Sequence, residues 1–157
     1  MILVLLGTNP YPFTRLIDAV IQFADKTDEQ FIVQSGYTPI ESKSLEVHQF
    51  IEHSRLLELM TEATVVITQG GFGSLQDCIR LGVKTIAVPR SKEYNEALDE
   101  QREIVDALAN ENLVIPLYDV SLLEEAVDKA ISKNIDKSDT TKLPKHLAST
   151  ISNLLGE

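Results

Sequence analysis

The sequence predicts an α/β fold, a doubly wound and mostly parallel sheet with helices on both faces. Three observations predict it. Short β-branched or apolar runs alternate with segments of helical period along the chain. The runs at 2–6 (ILVLL) and 65–67 (VVI) are apolar throughout, as strands covered on both faces must be. After residues 65–68 (VVIT) come Gly70-Gly71-Phe72-Gly73 and a helical pattern opened by Ser74, so a strand, a glycine turn and a helix N-terminus follow one another.

The first strand covers 2–6 and ends at Gly7-Thr8. Phe13, Leu16, Ile17, Val20, Ile21 and Ala24 then share one helical face. Residues 31–34 (FIVQ) form the second strand and 46–51 (EVHQFI) the third, with the polar stretch 37–44 read as a mobile loop between them. Leu56, Leu57, Met60 and Ala63 mark a short helix before the fourth strand at 65–68. The fifth strand is 85–88 and the sixth 113–115; Ala97, Leu98, Ile104, Val105 and Leu108 outline the helix between them. Ser121-Leu-Leu-Glu124 has the form of a capping box, and Leu122, Leu123, Ala126, Val127, Ala130 and Ile131 share a face of the helix it opens. Residues 134–142 read as a linker, and Leu147, Ile151, Leu154 and Leu155 as a weakly amphipathic tail helix, so the domain is 1–133 and the tail 134–157. The whole is a Rossmann-like sheet, whose ligands bind beyond the carboxyl ends of the strands.

Composition narrows the function. The chain has 157 residues, the size of one domain with a real core. A net charge of −10 disfavours a general nucleic-acid binder, which needs basic surface. A single cysteine, Cys78, excludes an internal disulfide and fits a reducing compartment; it falls on an apolar helix face and reads as core. The opening MILVLLGT lacks the basic region of a signal peptide, and no apolar stretch approaches the roughly 20 residues of a membrane helix, so a cytoplasmic protein is expected.

The chemistry concentrates at the glycine turn. Gly70, Gly71, Phe72, Gly73 and Ser74 offer backbone N–H groups, and Ser74 a hydroxyl, to a diphosphate. The plainer alternative is a β–α turn that needs glycine for packing. Asp77 is either an acceptor for ribose hydroxyls or a first-turn acid placed by the helix dipole. Gly7 and Thr8 either face the cleft or simply end a strand. Arg90 either neutralises phosphate charge or is solvated. His48 and His53 lack the spacing of a metal site, no clustered Asp-x-Asp occurs, and no metal or cofactor is expected.

In order and spacing, these motifs resemble the glycosyltransferase family 28 C-terminal domain, the nucleotide-sugar-binding half of a GT-B enzyme. The landmarks are Gly7-Thr8, Gln34-Ser35-Gly36, the strand and glycine turn at 63–74, Leu81-Gly82-Val83-Lys84, Ile86-Ala87-Val88-Pro89-Arg90 and Asp99-Glu100-Gln101. The similarity is greatest to single-domain members, such as the small subunit of the bipartite N-acetylglucosaminyltransferase of lipid-linked oligosaccharide synthesis and its capsule and exopolysaccharide equivalents. Three positions depart from the family's pattern: Gln69 and Glu100 stand where histidine is usual, and Asp77 where glutamate is.

The resemblance implies a UDP-sugar donor, inverting transfer to a lipid-linked acceptor in cell-surface glycan synthesis, and a membrane-associated partner subunit that supplies the acceptor half. The chain would then be peripheral at the inner membrane face through that partner. Gln69 and Gln101 join the donor-site candidates on the same ground. A non-catalytic nucleotide-sugar-binding regulatory subunit is one rival. An unrelated Rossmann-like nucleotide binder is the other, although no G-x-G-x-x-G follows the first strand.

Overall fold

A computed structural model describes residues 1–132. Six parallel strands, β1 (Ile2–Leu5), β2 (Phe31–Gln34), β3 (Glu46–His48), β4 (Val65–Gln69), β5 (Thr85–Val88) and β6 (Ile115–Pro116), form one sheet in the order 3-2-1-4-5-6. This is the doubly wound order in which the winding reverses beside β1, and ligands sit at that reversal beyond the strand C-termini. The predicted α/β class is the observed one.

Five helices cover the sheet: α1 (Thr14–Ala24), α2 (His53–Glu62), α3 (Phe72–Leu81), α4 (Arg102–Asn110) and α5 (Leu123–Ser132). Side chains alternate across each strand. Ile2, Val4, Val65, Ile67, Ile86 and Val88 therefore face α1 and α5, while Leu3, Leu5 and Val66 face α2 and Cys78 of α3. Ala87 faces the other way from its neighbours and meets Leu75 and Ile79 of α3 and Val105 and Leu108 of α4. Each such buried aliphatic side chain stabilises the fold by about 1.5–3 kcal/mol before entropy is counted.

Boundaries depart from the sequence reading in ways that have local causes. The third strand stops at His48 rather than at residue 51, because Gln34 Oε1 accepts from Ile51 N at 2.9 Å and turns the chain out of the sheet. The sixth strand is Ile115–Pro116, later than predicted. The helix before it begins at Arg102, so Ala97 and Leu98 are not helical; Leu98 is 71% exposed. Glu96 is buried against Arg15, and Asn95 takes a positive φ of 54°, which together fold residues 91–101 into a loop. The expected capping box does not form. Asp119 accepts from Ser121 N (3.0 Å) and Ser121 Oγ (2.7 Å), capping a short 3₁₀ turn and engaging the serine first. Leu122 and Ile131 are exposed rather than on the buried face of α5.

The stretch 37–44 carries no helix or strand, yet it is tied down: buried Thr38 accepts from Phe13 N through Oγ1 at 2.9 Å. The predicted linker and tail helix lie outside the described residues.

Candidate functional site

The C-terminal ends of β1, β2, β4 and β5 converge on Gln69, the last residue of β4. Its Oε1 accepts from Arg90 Nε (3.0 Å) and from Gln101 Nε2 (2.9 Å). Two donors on Oε1 turn the amide so that Nε2 faces the other way, toward the glycines. A Cβ placed on Gly7 or on Gly71 would lie 2.3 Å from Gln69 Nε2, so both positions are glycine because this amide fills the space. Gly7 also takes a φ of +75°, and a Cβ on Gly36 (φ +56°) would meet Gly7 O at 2.3 Å. The turns after β1 and β2 are thus pressed onto each other and onto Gln69.

Arg90 is not solvated, which corrects one of the two sequence readings. It is 1% exposed, and its guanidinium donates to Leu6 O (2.6 Å), Tyr11 O (2.7 Å) and Glu96 O (2.8 Å) as well as to Gln69. Phe13 lies under it, with its ring centroid 4.7 Å from Cζ. Burial lowers its pKa to about 10, against an opposing pull from Glu96, so it stays charged at neutral pH. Its work is to hold the ends of β1 and β5 and the loops beyond them. Gln101 joins the same network, its Oε1 accepting from Arg90 N at 2.9 Å.

The glycine turn opens directly into α3. The helix begins at Phe72, two residues before the predicted start, with Gly71 as its N-cap. Gly71 has no side chain to cap the helix, and the first turn carries no acidic residue. The amides of Phe72, Gly73 and Ser74 fall in the first turn, where peptide N–H groups have no intrahelical acceptor and the dipole is positive. The three glycines differ in kind. Gly70 is buried, and a Cβ there would meet Val105 Cγ2 at 2.9 Å and Gln101 Cβ at 3.0 Å. Gly71 faces Gln69. Gly73 is exposed, has nothing within 4 Å of a Cβ, and needs no left-handed backbone. Only at Gly73 does the fold itself give no reason for glycine. What the missing side chain leaves open there is approach to the amides from outside.

Asp77 lies five residues past Phe72, about 7.5 Å along the axis. Its Oδ2 is 2.9 Å from Nε2 of His53, the first residue of α2. Sequence reasoning set His53 aside because it has no metal-ligand spacing. The signal that finds it is topological: α2 and α3 pack together on the same sheet face, which brings residues distant in sequence side by side. Thr8 is exposed at the end of β1, and Glu100, where the family pattern has histidine, instead accepts from Lys92 N at 3.1 Å. Cys78 is fully buried, and burial raises its thiol to about 12, which removes it as a nucleophile. Among the described residues no group of three or more His, Cys, Asp or Glu side chains could hold a metal, and no helix is long and apolar enough to cross a membrane.

A parallel sheet of this order, with a bare glycine turn feeding a helix, is the doubly wound, Rossmann-like α/β architecture, whose ligands bind beyond the strand C-termini. The chain belongs to glycosyltransferase family 28: the profile of its C-terminal domain matches residues 1–154. No curated protein matches it by sequence. Among solved structures it is similar to the glycotransferase of kitacinnamycin (TM-score 0.69, 17% identity, 95% of this chain and 39% of that one). It is also similar to CalG4, the calicheamicin glycosyltransferase (TM-score 0.65, 19% identity, 95% and 38%). SnogD, a glycosyltransferase from Streptomyces nogalater, matches with TM-score 0.55 and 16% identity, over 95% of this chain and 39% of that one. The chain therefore spans about two fifths of the length of these structures.

Proposed function

We propose that this chain is the donor-binding subunit of an inverting glycosyltransferase that uses a UDP-sugar. The observation that carries the reading is the open N-terminus of α3: first-turn amides beside exposed Gly73, no acid in that turn, and Asp77 farther along the same helix. The amides of residues 72–74 receive the diphosphate, and the Ser74 hydroxyl adds a donor. Gln69 Nε2, held toward the turn by Arg90 and Gln101, donates at its edge. Asp77 accepts from ribose hydroxyls.

In inverting transfer the acceptor oxygen attacks the anomeric carbon on the face opposite the diphosphate. The bond from that carbon to the phosphate oxygen breaks, and UDP leaves with one more negative charge. Donors fixed before the reaction stabilise that charge most effectively, because nothing reorganises as it forms. The base that takes the acceptor proton belongs to a separate acceptor-binding chain, associated with the membrane and presenting a lipid-linked acceptor. This subunit works at the inner membrane face through it, in cell-surface glycan synthesis. Residues 1–133 form the donor domain and 134–157 a linker and tail.

Calorimetric titration with UDP, UDP-sugars and NAD tests the reading. Uridine nucleotides bind with one-to-one stoichiometry and NAD does not. Binding of NAD with none of UDP overturns it.

A further inference from the structure

We propose that His53 is a positioning residue for ribose recognition, holding the Asp77 carboxylate in the orientation that accepts the nucleoside diol. The inference rests on Asp77 being the ribose acceptor. His53 is the first residue of α2 and Asp77 sits on α3, so the 2.9 Å contact between Nε2 and Oδ2 joins two helices across the rim of the candidate site. The side chains are 68% and 21% exposed, and a pair that open contributes little to stability. Its effect is on orientation. Aspartate has one methylene less than the glutamate usual at this position, so its carboxylate sits closer to the α3 backbone. With Oδ2 taken by the imidazole, Oδ1 is left to accept from a sugar hydroxyl. The loop that delivers His53 is itself fixed, because Gln34 Oε1 accepts from Ile51 N at 2.9 Å two residues earlier. The imidazole, the carboxylate and the diol then form a chain of hydrogen bonds in which each partner limits the freedom of the next.

The test compares UDP with 2′-deoxy-UDP by calorimetry on the full chain and its variants. Wild type prefers UDP by about 10-fold, the effect of one hydrogen bond to a charged acceptor. His53→Ala weakens UDP by about 5- to 10-fold, leaves 2′-deoxy-UDP nearly unchanged and so erases most of the preference, while His53→Gln, which restores an N–H donor, recovers it. Added to Asp77→Ala, His53→Ala has no further effect, because it acts through that carboxylate. The exposed position leaves the thermal midpoint in place, which separates this outcome from misfolding. If wild type binds UDP and His53→Ala keeps both affinity and preference, the positioning role is wrong and the donor reading stands. If wild type binds no uridine nucleotide, both fall.

Discussion

Glycine occurs three times in the turn after β4, and the surroundings of each copy predict a different result on substitution. At Gly71 a methyl group must displace the Gln69 amide, so Gly71→Ala costs about 1–3 kcal/mol. Gly73 meets nothing, and alanine is the better helix former, so Gly73→Ala is as stable as wild type or gains about 0.5–1 kcal/mol. That methyl group nevertheless stands in the path of the diphosphate in the proposed site, which predicts that the variant binds UDP at least about 10-fold more weakly, a difference of about 1.4 kcal/mol. Urea denaturation and calorimetry on the same samples separate the two effects. Unchanged UDP affinity in a stable Gly73→Ala protein removes the turn from the binding site. Cys78 gives a test of burial through pH. Its thiol is raised from 9.0 to about 12 in the folded chain, so the unfolded chain ionises first. The stability this contributes is complete below pH 9 and is lost as pH rises toward 12. Between pH 8 and pH 10 wild type loses more stability than Cys78→Ala does, as measured by urea denaturation at each pH. Equal losses in the two proteins disprove the buried, protonated thiol.

The turn between β4 and α3 is also a packing surface for α4, because the place of a Gly70 Cβ is already occupied by Val105 Cγ2 at 2.9 Å. Gly70→Ala therefore pushes α4 away and costs about 1–3 kcal/mol. Val105→Ala, which leaves a hole of its own, regains part of that loss in the double variant. A double-mutant cycle gives a coupling of about 0.5–2 kcal/mol, and strict additivity shows that the two elements do not bear on each other. Contacts of this kind mark what sequence could and could not reveal. The glycine run, the buried strands and the helices α1, α2 and α3 were legible, since each is written in neighbouring residues with a definite period. The helix before β6 was misread because Ala97 and Leu98 continue the apolar spacing of Ile104, Val105 and Leu108, although the ion pair of Glu96 with Arg15, 81 positions earlier, holds that stretch as a loop. The capping box failed by a competition two residues away, where Asp119 engages Ser121. Arg90 and the His53–Asp77 pair were out of reach because their meaning lies in partners brought together by the sheet: Leu6 is 84 positions from Arg90, and Asp77 is 24 from His53.

The candidate donor groups lie at the carboxyl ends of the strands, on the turns after β1 and β4 and the first turns of α3, where Thr8 and Gly73 are exposed. The proposed function places the base on the acceptor-binding chain, and the buried charged side chains among the described residues are both engaged: Glu96 by Arg15 and Ser91, and Arg90 as a closed clamp. Binding and chemistry should therefore separate. The isolated chain gains stability from UDP by mass action, about 2.7 kcal/mol at a ligand concentration 100 times Kd, and its thermal midpoint rises accordingly. Alone, it neither transfers sugar nor hydrolyses UDP-sugar at a rate above the uncatalysed one. The proposed function predicts that adding an acceptor-binding chain in membranes that carry lipid-linked acceptor gives transfer, and that Gly73→Asp in this chain abolishes it by placing a carboxylate against the diphosphate. The decisive measurement is UDP release followed with each chain separately and with both together. Release by this chain alone, with a soluble acceptor and at a rate matching the mixture, would show that the base lies on this chain after all, and that this end of the sheet is a complete active site rather than half of one.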